Sequence, residues 1–359
     1  MIIGACGFGS TGSSVVTDYL SEYDDITVKD DLEFTWVSAI DGLIDLERAV
    51  MHPHMRTGDS ITAIMRFLEL VERRKAKYER HGLSAEVFTR SAQSFIEEIT
   101  TTKWPWYDNR ITYKYKYRSK YCFHTFMMKK IIPKMEKKQG HQVFCWPMQE
   151  VRLSVLPEHF YILAQKHVDE LLQAMGLDQN TIIALDQPFA GNNPQACFPF
   201  YKDPYAVVVD RDPRDNYVFA RTRLLGRNHF MAVEPVEDFI AYYRALRKNQ
   251  PYLMDNPRIL RIHFEDMVYE YDKTSKMLRN FLHLPENPHP RSVFDPDLSV
   301  ANTQVFKRFP QFSKDIEIIE KELPEYLFDY SEYPEPDFSK KMFYGKSPKH
   351  KGFRRSYSE

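Results

Sequence analysis

Residues 7–14 read GFGSTGSS and lie close to the start of the chain. As Gly7-x-Gly9-x-x-Gly12 the stretch matches the dinucleotide fingerprint, and as Gly7-x-x-x-x-Gly12-Ser13-Ser14 it matches a Walker A loop with serine in the lysine position. The physics is shared. In a loop between a strand and a helix, glycines let the backbone N–H groups of Gly7, Phe8, Gly9, Ser10, Thr11, Gly12, Ser13 and Ser14 close around a phosphate-like anion. The readings differ in what else they require. A triphosphate enzyme needs a cation where this chain has Ser13. A dinucleotide protein needs an acid about 20 residues further on for the ribose hydroxyls, and Asp30 or Asp31 fills that place.

A second candidate lies in VVVDRDPRDNYVFAR, where Arg211 follows a buried apolar run and Asp212-Pro213-Arg214-Asp215 turns the chain into a helix. A guanidinium fixed there presents planar, bidentate donors to a phosphate. The competing reading pairs Arg211 and Arg214 with Asp212 and Asp215. Further on, RIHFEDMVYEYDKTSKMLRNFLHLP carries the acidic pair Glu265-Asp266 at a strand end, and NTQVFKRF carries Lys307 and Arg308.

The elements that must position these residues follow from periodicity. MIIGA reads as a buried strand entering the loop, STGSSVVTDYLSEY as a helix and ITVKD as a strand. Residues 59–80 form an amphipathic helix with Asp59 as N-cap. Residues 157–175 form another, ending at Gly176. Residues 181–188 and 205–213 read as strands, 258–268 as a strand with an acidic turn, and 313–330 as a late helix. Repeated strand-helix units make an α/β chain with a parallel sheet, interrupted by an insertion at about 100–150. In that insertion ITYKYKYR alternates rings with basic residues, as a strand with one ring-lined face would. One domain over 1–333 is expected, followed by a basic, loosely ordered tail over 334–359.

The chain has 359 residues, a net charge of -1 and four well-separated cysteines. That balance argues against a dedicated nucleic-acid binder, and the cysteine spacing against a metal-binding cluster. No apolar run reaches the length of a membrane span and the N-terminus lacks the marks of a signal peptide, so a reduced, cytoplasmic protein is expected.

Taken in order, the glycine loop, the Arg211 segment and the Glu265-Asp266 segment with its Phe-Leu-x-Leu-Pro ending resemble the PAPS-dependent sulfotransferases, along nearly the whole chain. The resemblance implies an α/β fold of the P-loop type, a central parallel sheet flanked by helices, and transfer of a sulfuryl group from PAPS to a hydroxyl, leaving PAP, with no metal required. It assigns residues 7–14 to the phosphosulfate and Arg211 to the 3′-phosphate. Lys307 and Arg308 fall in the loop that closes over the nucleotide. Carbohydrate-type members place a glutamate after the second strand, which makes Glu33 the candidate base; other members use histidine, which makes His52, His54 and His124 rivals.

Two positions depart from the family pattern. Ser10 stands where most members carry lysine or arginine on the bridging oxygen, so loop N–H groups and hydroxyls must meet the charge that develops there. Phe219 stands where the family has a serine beside the arginine on the 3′-phosphate. The acceptor class is a glycan, a lipid-linked sugar or another alcohol, with no nucleic acid, and the basic tail is a candidate for contact with the inner membrane face. Two alternatives follow from the same residues: a catalytically degenerate nucleotide-binding sensor or scaffold, and a Rossmann oxidoreductase with Asp30 on the ribose.

Overall fold

A computed structural model describes residues 1–52, 56, 58–106, 126–140, 149–178, 180–224, 231–248, 255–340 and 342. β1 (Ile2–Gly7) leads through the glycine loop into α1 (Ser14–Leu20) and β2 (Ile26–Glu33). Helices α2 (Leu43–Met51), α3 (Gly58–Glu79) and α4 (Ala85–Ile99) follow. β3 (Thr102–Trp106) and β4 (Gln149–Leu153) form an antiparallel pair at the borders of the insertion, with α5 (Ile132–Gln139) between them in sequence. Next come α6 (Phe160–Ala174), β5 (Ile182–Asp186), β6 (Pro204–Asp210), α7 (Pro213–Phe219) and α8 (Val236–Arg247). The chain continues through β7 (Ile259–His263), α9 (Phe264–Tyr269), α10 (Tyr271–Leu282), α11 (Pro296–Ser299) and α12 (Ser313–Glu322).

The main sheet has five strands in the order β2-β5-β1-β6-β7, and every pairing is parallel. Helices cover both faces, which is why its strands read as unbroken apolar runs. Side chains alternate between two cores as the pleat requires. Ile2, Cys6, Ile183, Leu185, Ala206 and Val208 face the core built with α2, α3, α4 and α6. Ile3, Ala5, Ala184, Val207 and Val209 face the one built with α1, α9 and α10.

This strand order corrects the oxidoreductase alternative. A dinucleotide site needs the ribose acid on the strand next to the glycine loop's own strand. Here β5 lies between β1 and β2, which sets Asp30 two strand spacings, about 10 Å, to the side.

Three local expectations also change. Asp59 lies inside the first turn of α3, which begins at Gly58, and pairs with Arg56 at 3.3 Å rather than capping. The late helix stops at Glu322, because Pro324 lacks an N–H and disfavours helical backbone at the residue before it. Residues 334–340, expected to be loose, are tied down: Gln304 Nε2 donates to the Pro334 carbonyl at 3.0 Å, and Lys307 pairs with Glu335 at 3.0 Å. The strand expected over 111–118 and the tail beyond 342 lie outside the described residues.

Under the α3–α4–α6 layer a buried polar relay, ending at half-buried Glu170, fixes the position of Trp36. Its indole N–H donates to His167 Nε2 at 3.1 Å, so the ring proton sits on Nδ1 and is donated to Ser91 Oγ at 2.8 Å. The Ser91 hydroxyl in turn donates to Glu170 at 2.6 Å. Burial holds the His167 pKa down to about 3, so the ring stays neutral. His167→Ala should open a cavity and strand the Trp36 N–H, lowering stability by about 2–4 kcal/mol. A urea midpoint within error of wild type would contradict this.

Candidate anion-binding site

The glycine loop lies at the carboxyl end of β1, where the connection after β1 leads toward β2 and the one after β6 leads toward β7 at the opposite edge. Such a switch point leaves a crevice at the strand ends. Gly9 (φ 86°), Ser10 (φ 54°) and Gly12 (φ 85°) all adopt left-handed backbone. A Cβ on Gly12 would lie 2.6 Å from the Phe264 ring, so both conformation and space demand glycine there. Ser10 holds the same region at a cost.

The loop is pinned by its oxygens, and its nitrogens are left open. Asn216 Nδ2 donates to the Gly9 carbonyl at 3.0 Å and Arg211 Nη1 to the Ser10 carbonyl at 3.4 Å. The Gln187 side chain accepts from the Gly7 N–H at 3.2 Å and donates to Ser13 Oγ at 2.9 Å, while the Phe8 N–H donates to Thr11 Oγ1 at 3.2 Å. Among the described residues, the N–H groups of Gly9, Ser10, Thr11, Gly12 and Ser13 find no acceptor, and Ser10 Oγ is buried without a partner. Unpaired donors converging on one turn form an anion-binding concavity.

Behind the loop the two readings of the arginines divide. Arg214 takes the structural one: it donates to both oxygens of buried Asp212, reaches Glu320 at 2.9 Å, and stacks over Phe306. Arg211 pairs with neither acid. Its guanidinium lies 4.1 Å from the Phe219 ring centre and 4.8 Å from that of Phe264, and its Nη2 donates to the Asn302 carbonyl. Phe219, in the serine position, thus acts as a stacking plate. Two of the Arg211 nitrogens are engaged by carbonyls and Nε lacks a partner, so a phosphate would meet Arg211 through the loop it supports.

The charge around Arg211 is balanced by one proton. Arg211, Arg214 and Arg247 face Asp210, Asp212, Asp215 and Glu265, all largely or wholly buried. Burial alone would raise the Asp210 carboxyl, yet the Arg247 guanidinium holds it below the usual range. Burial pushes Glu265 up to about 8, opposed by Arg211 and reinforced by Asp212 and Asp215. It pushes Asp215 up to about 6, again opposed by Arg211. The single Tyr330 hydroxyl lies 2.9 Å from Asp215 Oδ2 and 3.0 Å from Glu265 Oε1. One hydroxyl proton serves one carboxylate, so the two contacts together need a proton on Asp215 or Glu265, both of which burial raises.

Among the described residues, no hydrogen bond or ion pair joins the remaining candidates to the loop. Glu33 ends β2 in an exposed position, in register with Asp186 of β5, the residue before Gln187. His52 is exposed and contacts Glu47 at 3.3 Å, whereas His54 and His124 lie outside the described residues. Lys307 is held by Gln304 and Glu335, and Arg308 donates to the Phe338 and Lys340 carbonyls. Both hold the 334–340 segment in place, in contrast to the expected reach toward phosphates. Asp31 binds Lys29 and His81. Sequence reasoning missed Asn216, Asn302 and Tyr330, and placed Gln187 only within the 181–188 strand.

No family model matches the chain, and no curated protein matches it. Among solved structures it is similar to the sulfotransferase domain from the curacin biosynthetic pathway, at 12% identity over 82% of this chain and 78% of that one, TM-score 0.37. It is also similar to sulfotransferase STF1 from Mycobacterium tuberculosis H37Rv, at 11% identity over 90% and 76%, TM-score 0.34. A third is sulfotransferase STF9 from Mycobacterium avium, at 12% identity over 89% and 76%, TM-score 0.31. At these scores the superpositions are loose.

A proton bound by the fold gives a pH signature. Glu265 has a folded pKa of about 8 against about 4.3 unfolded, so its contribution is complete below the unfolded value and is lost as pH rises through 8. Asp215 adds the same sign lower down. Thermal midpoints should therefore fall between pH 6 and 9 in the wild type, and the fall should be smaller in Glu265→Gln. Parallel curves would show that Glu265 carries no such proton.

Proposed function

We propose that the chain is a sulfotransferase that moves a sulfuryl group from PAPS to a hydroxyl of a glycan, a lipid-linked sugar or another alcohol. The observation that carries this reading is the loop itself: open N–H groups at a switch point, with no cation in the Walker position and with Ser13 held by Gln187. A triphosphate enzyme needs that cation to meet charge on the terminal phosphates. A phosphosulfate carries less charge, and with Ser10 in the place of the family's cation it falls to neutral donors to meet it.

In this reading the N–H groups of Gly9 to Ser13 and the hydroxyls of Ser10, Thr11 and Ser13 hold the oxyanion end of the donor. PAPS, when bound, supplies the sulfuryl group. Ser10, in place of a fixed cation, offers a hydroxyl to charge growing on the bridging oxygen. Arg211 keeps the loop in shape from behind, stacked on Phe219. Glu33, at the same end of the sheet and open to solvent, takes the proton from the acceptor hydroxyl. The acceptor class rests on the alternation of rings and basic residues in the sequence ITYKYKYR.

A second reading is favoured by one observation. Arg211 is turned onto backbone carbonyls, with Phe219 where a serine would help bind a 3′-phosphate. A nucleotide-binding sensor that has lost turnover would share these features. The two separate cleanly by experiment. Adenosine 3′,5′-bisphosphate at 100 times its dissociation constant should stabilise the chain by about 2.7 kcal/mol, with NAD and ATP giving little shift. Glu33→Gln should cut turnover of PAPS by roughly 10²-fold or more while leaving that shift intact. A response to NAD alone would remove the sulfotransferase reading; bisphosphate binding without turnover on any acceptor would favour the sensor; full turnover in Glu33→Gln would clear Glu33 as base.

A further inference from the structure

Exposed apolar side chains are concentrated in one stretch of the chain. Nine large ones are open to solvent among the described residues, and six of them, Phe126, Met135, Val155, Leu156, Tyr161 and Ile162, lie between residues 126 and 162. Single exposed apolar residues are ordinary, whereas a concentration of them marks a contact surface. At the foot of the insertion the exposure is built in. β4 ends at Leu153, and the Ser154 hydroxyl donates to the Ile99 carbonyl at 2.7 Å. Leu156 then takes left-handed backbone, φ 46°, with its N–H on the Val50 carbonyl at 2.9 Å. That conformation costs energy for a leucine, yet the side chain is 59% exposed, so burial does not offset the cost.

Positive charge follows the same stretch. One π-helical turn, Met127–Ile131, runs directly into α5. Ile132 is buried, and Met127, Ile131 and Glu136 are half-buried, so this row faces the protein. The row formed by Phe126, Lys130, Lys134 and Lys138 at four-residue intervals is exposed, as helical spacing allows. Lys129, Lys137 and Met135 are exposed as well. Five lysines thus stand against one acid, Glu136, on the inward row. Among the described residues none of the five makes an ion pair or a side-chain hydrogen bond, although the chain as a whole is nearly neutral, with net charge -1.

We propose that the helical segment 126–139 docks the protein on the surface of an anionic lipid bilayer. The unpaired lysines meet the lipid phosphates, and Phe126 and Met135 enter between the head groups. The apolar residues decide between a bilayer and a nucleic acid. A polyanion also attracts lysines, but it leaves Met135, Leu156 and Ile162 in water, whereas a bilayer removes them from it. The inference rests on this surface alone and stands or falls apart from the donor reading of the glycine loop.

The test is sedimentation of the full chain with phosphatidylcholine vesicles, with and without about 30 mol% phosphatidylglycerol. Binding to the acidic vesicles should be at least about tenfold tighter, and it should fall in about 0.5 M salt, where exposed charges are screened. Lys130→Gln, Lys134→Gln and Lys138→Gln together should weaken it about 100-fold, since each lysine near such a surface contributes about fivefold. The same charge removed from exposed Lys202, Lys276 and Lys314 should change it far less. Phe126→Ser and Leu156→Asn should each weaken it several-fold, and Leu156→Asn should leave the thermal midpoint at or above wild type, because asparagine tolerates left-handed backbone. Equal binding to the two kinds of vesicle, or binding to neither, would overturn the proposal, and that wild-type comparison decides it even where a variant fails to fold. Wild-type affinity in the triple lysine variant, or an equal loss in the control triple, would move the contact to the basic tail or to charge in general and overturn it too. Binding to a DNA duplex as tight as to the acidic vesicles, and insensitive to Phe126→Ser, would make a polyanion the partner instead.

Discussion

The guanidinium of Arg211 is the point on which the site turns. It lies between the Phe219 and Phe264 rings, at the end of β6, and donates to the carbonyl of Ser10. That contact and the donation from Asn216 to the Gly9 carbonyl hold the left-handed backbone of Ser10 against its own steric cost. A buried cation is stable only where its charge is met, and the acids after β6 and β7 meet it. The loop's shape and the burial of three arginines are therefore one constraint, closed by a proton shared within the Asp215–Tyr330–Glu265 group.

The C-terminal segment completes the same unit. Phe328 donates its N–H to Asp212, and Tyr330 bridges Asp215 and Glu265. Lys307 and Arg308 bind the segment further along. The C-terminal segment thus braces the acids that surround Arg211, through a polar interior rather than through added apolar area. A brace of this kind is specific but conditional, because removing one partner leaves a buried charge or donor without its match.

Much of this was legible in the order of residues, and the illegible part has a common cause. The strand and loop at the N-terminus announce themselves because an unbroken apolar run next to three glycines has few other uses. Arg211 was legible as the residue leaving a buried strand. Its partners were not, since Ser10 reaches it only because β1 lies beside β6, and Asn302 comes from a turn 91 residues further on. Gln187 was hidden for the same reason: its meaning depends on β5 lying beside β1, with β2 displaced to the edge. Lys307 and Arg308 looked like phosphate ligands because sequence displays charge and not the groups that neutralise it.

The central claim is that the open N–H groups of residues 9–13 seat the oxyanion end of a sulfuryl donor while Arg211 supports the loop from behind. A crystal structure with adenosine 3′,5′-bisphosphate tests it most directly. The account predicts the 5′-phosphate oxygens about 3 Å from these backbone nitrogens, with Arg211 still on the Ser10 carbonyl. A nucleotide bound elsewhere, or with its 5′-phosphate away from the loop, would contradict it.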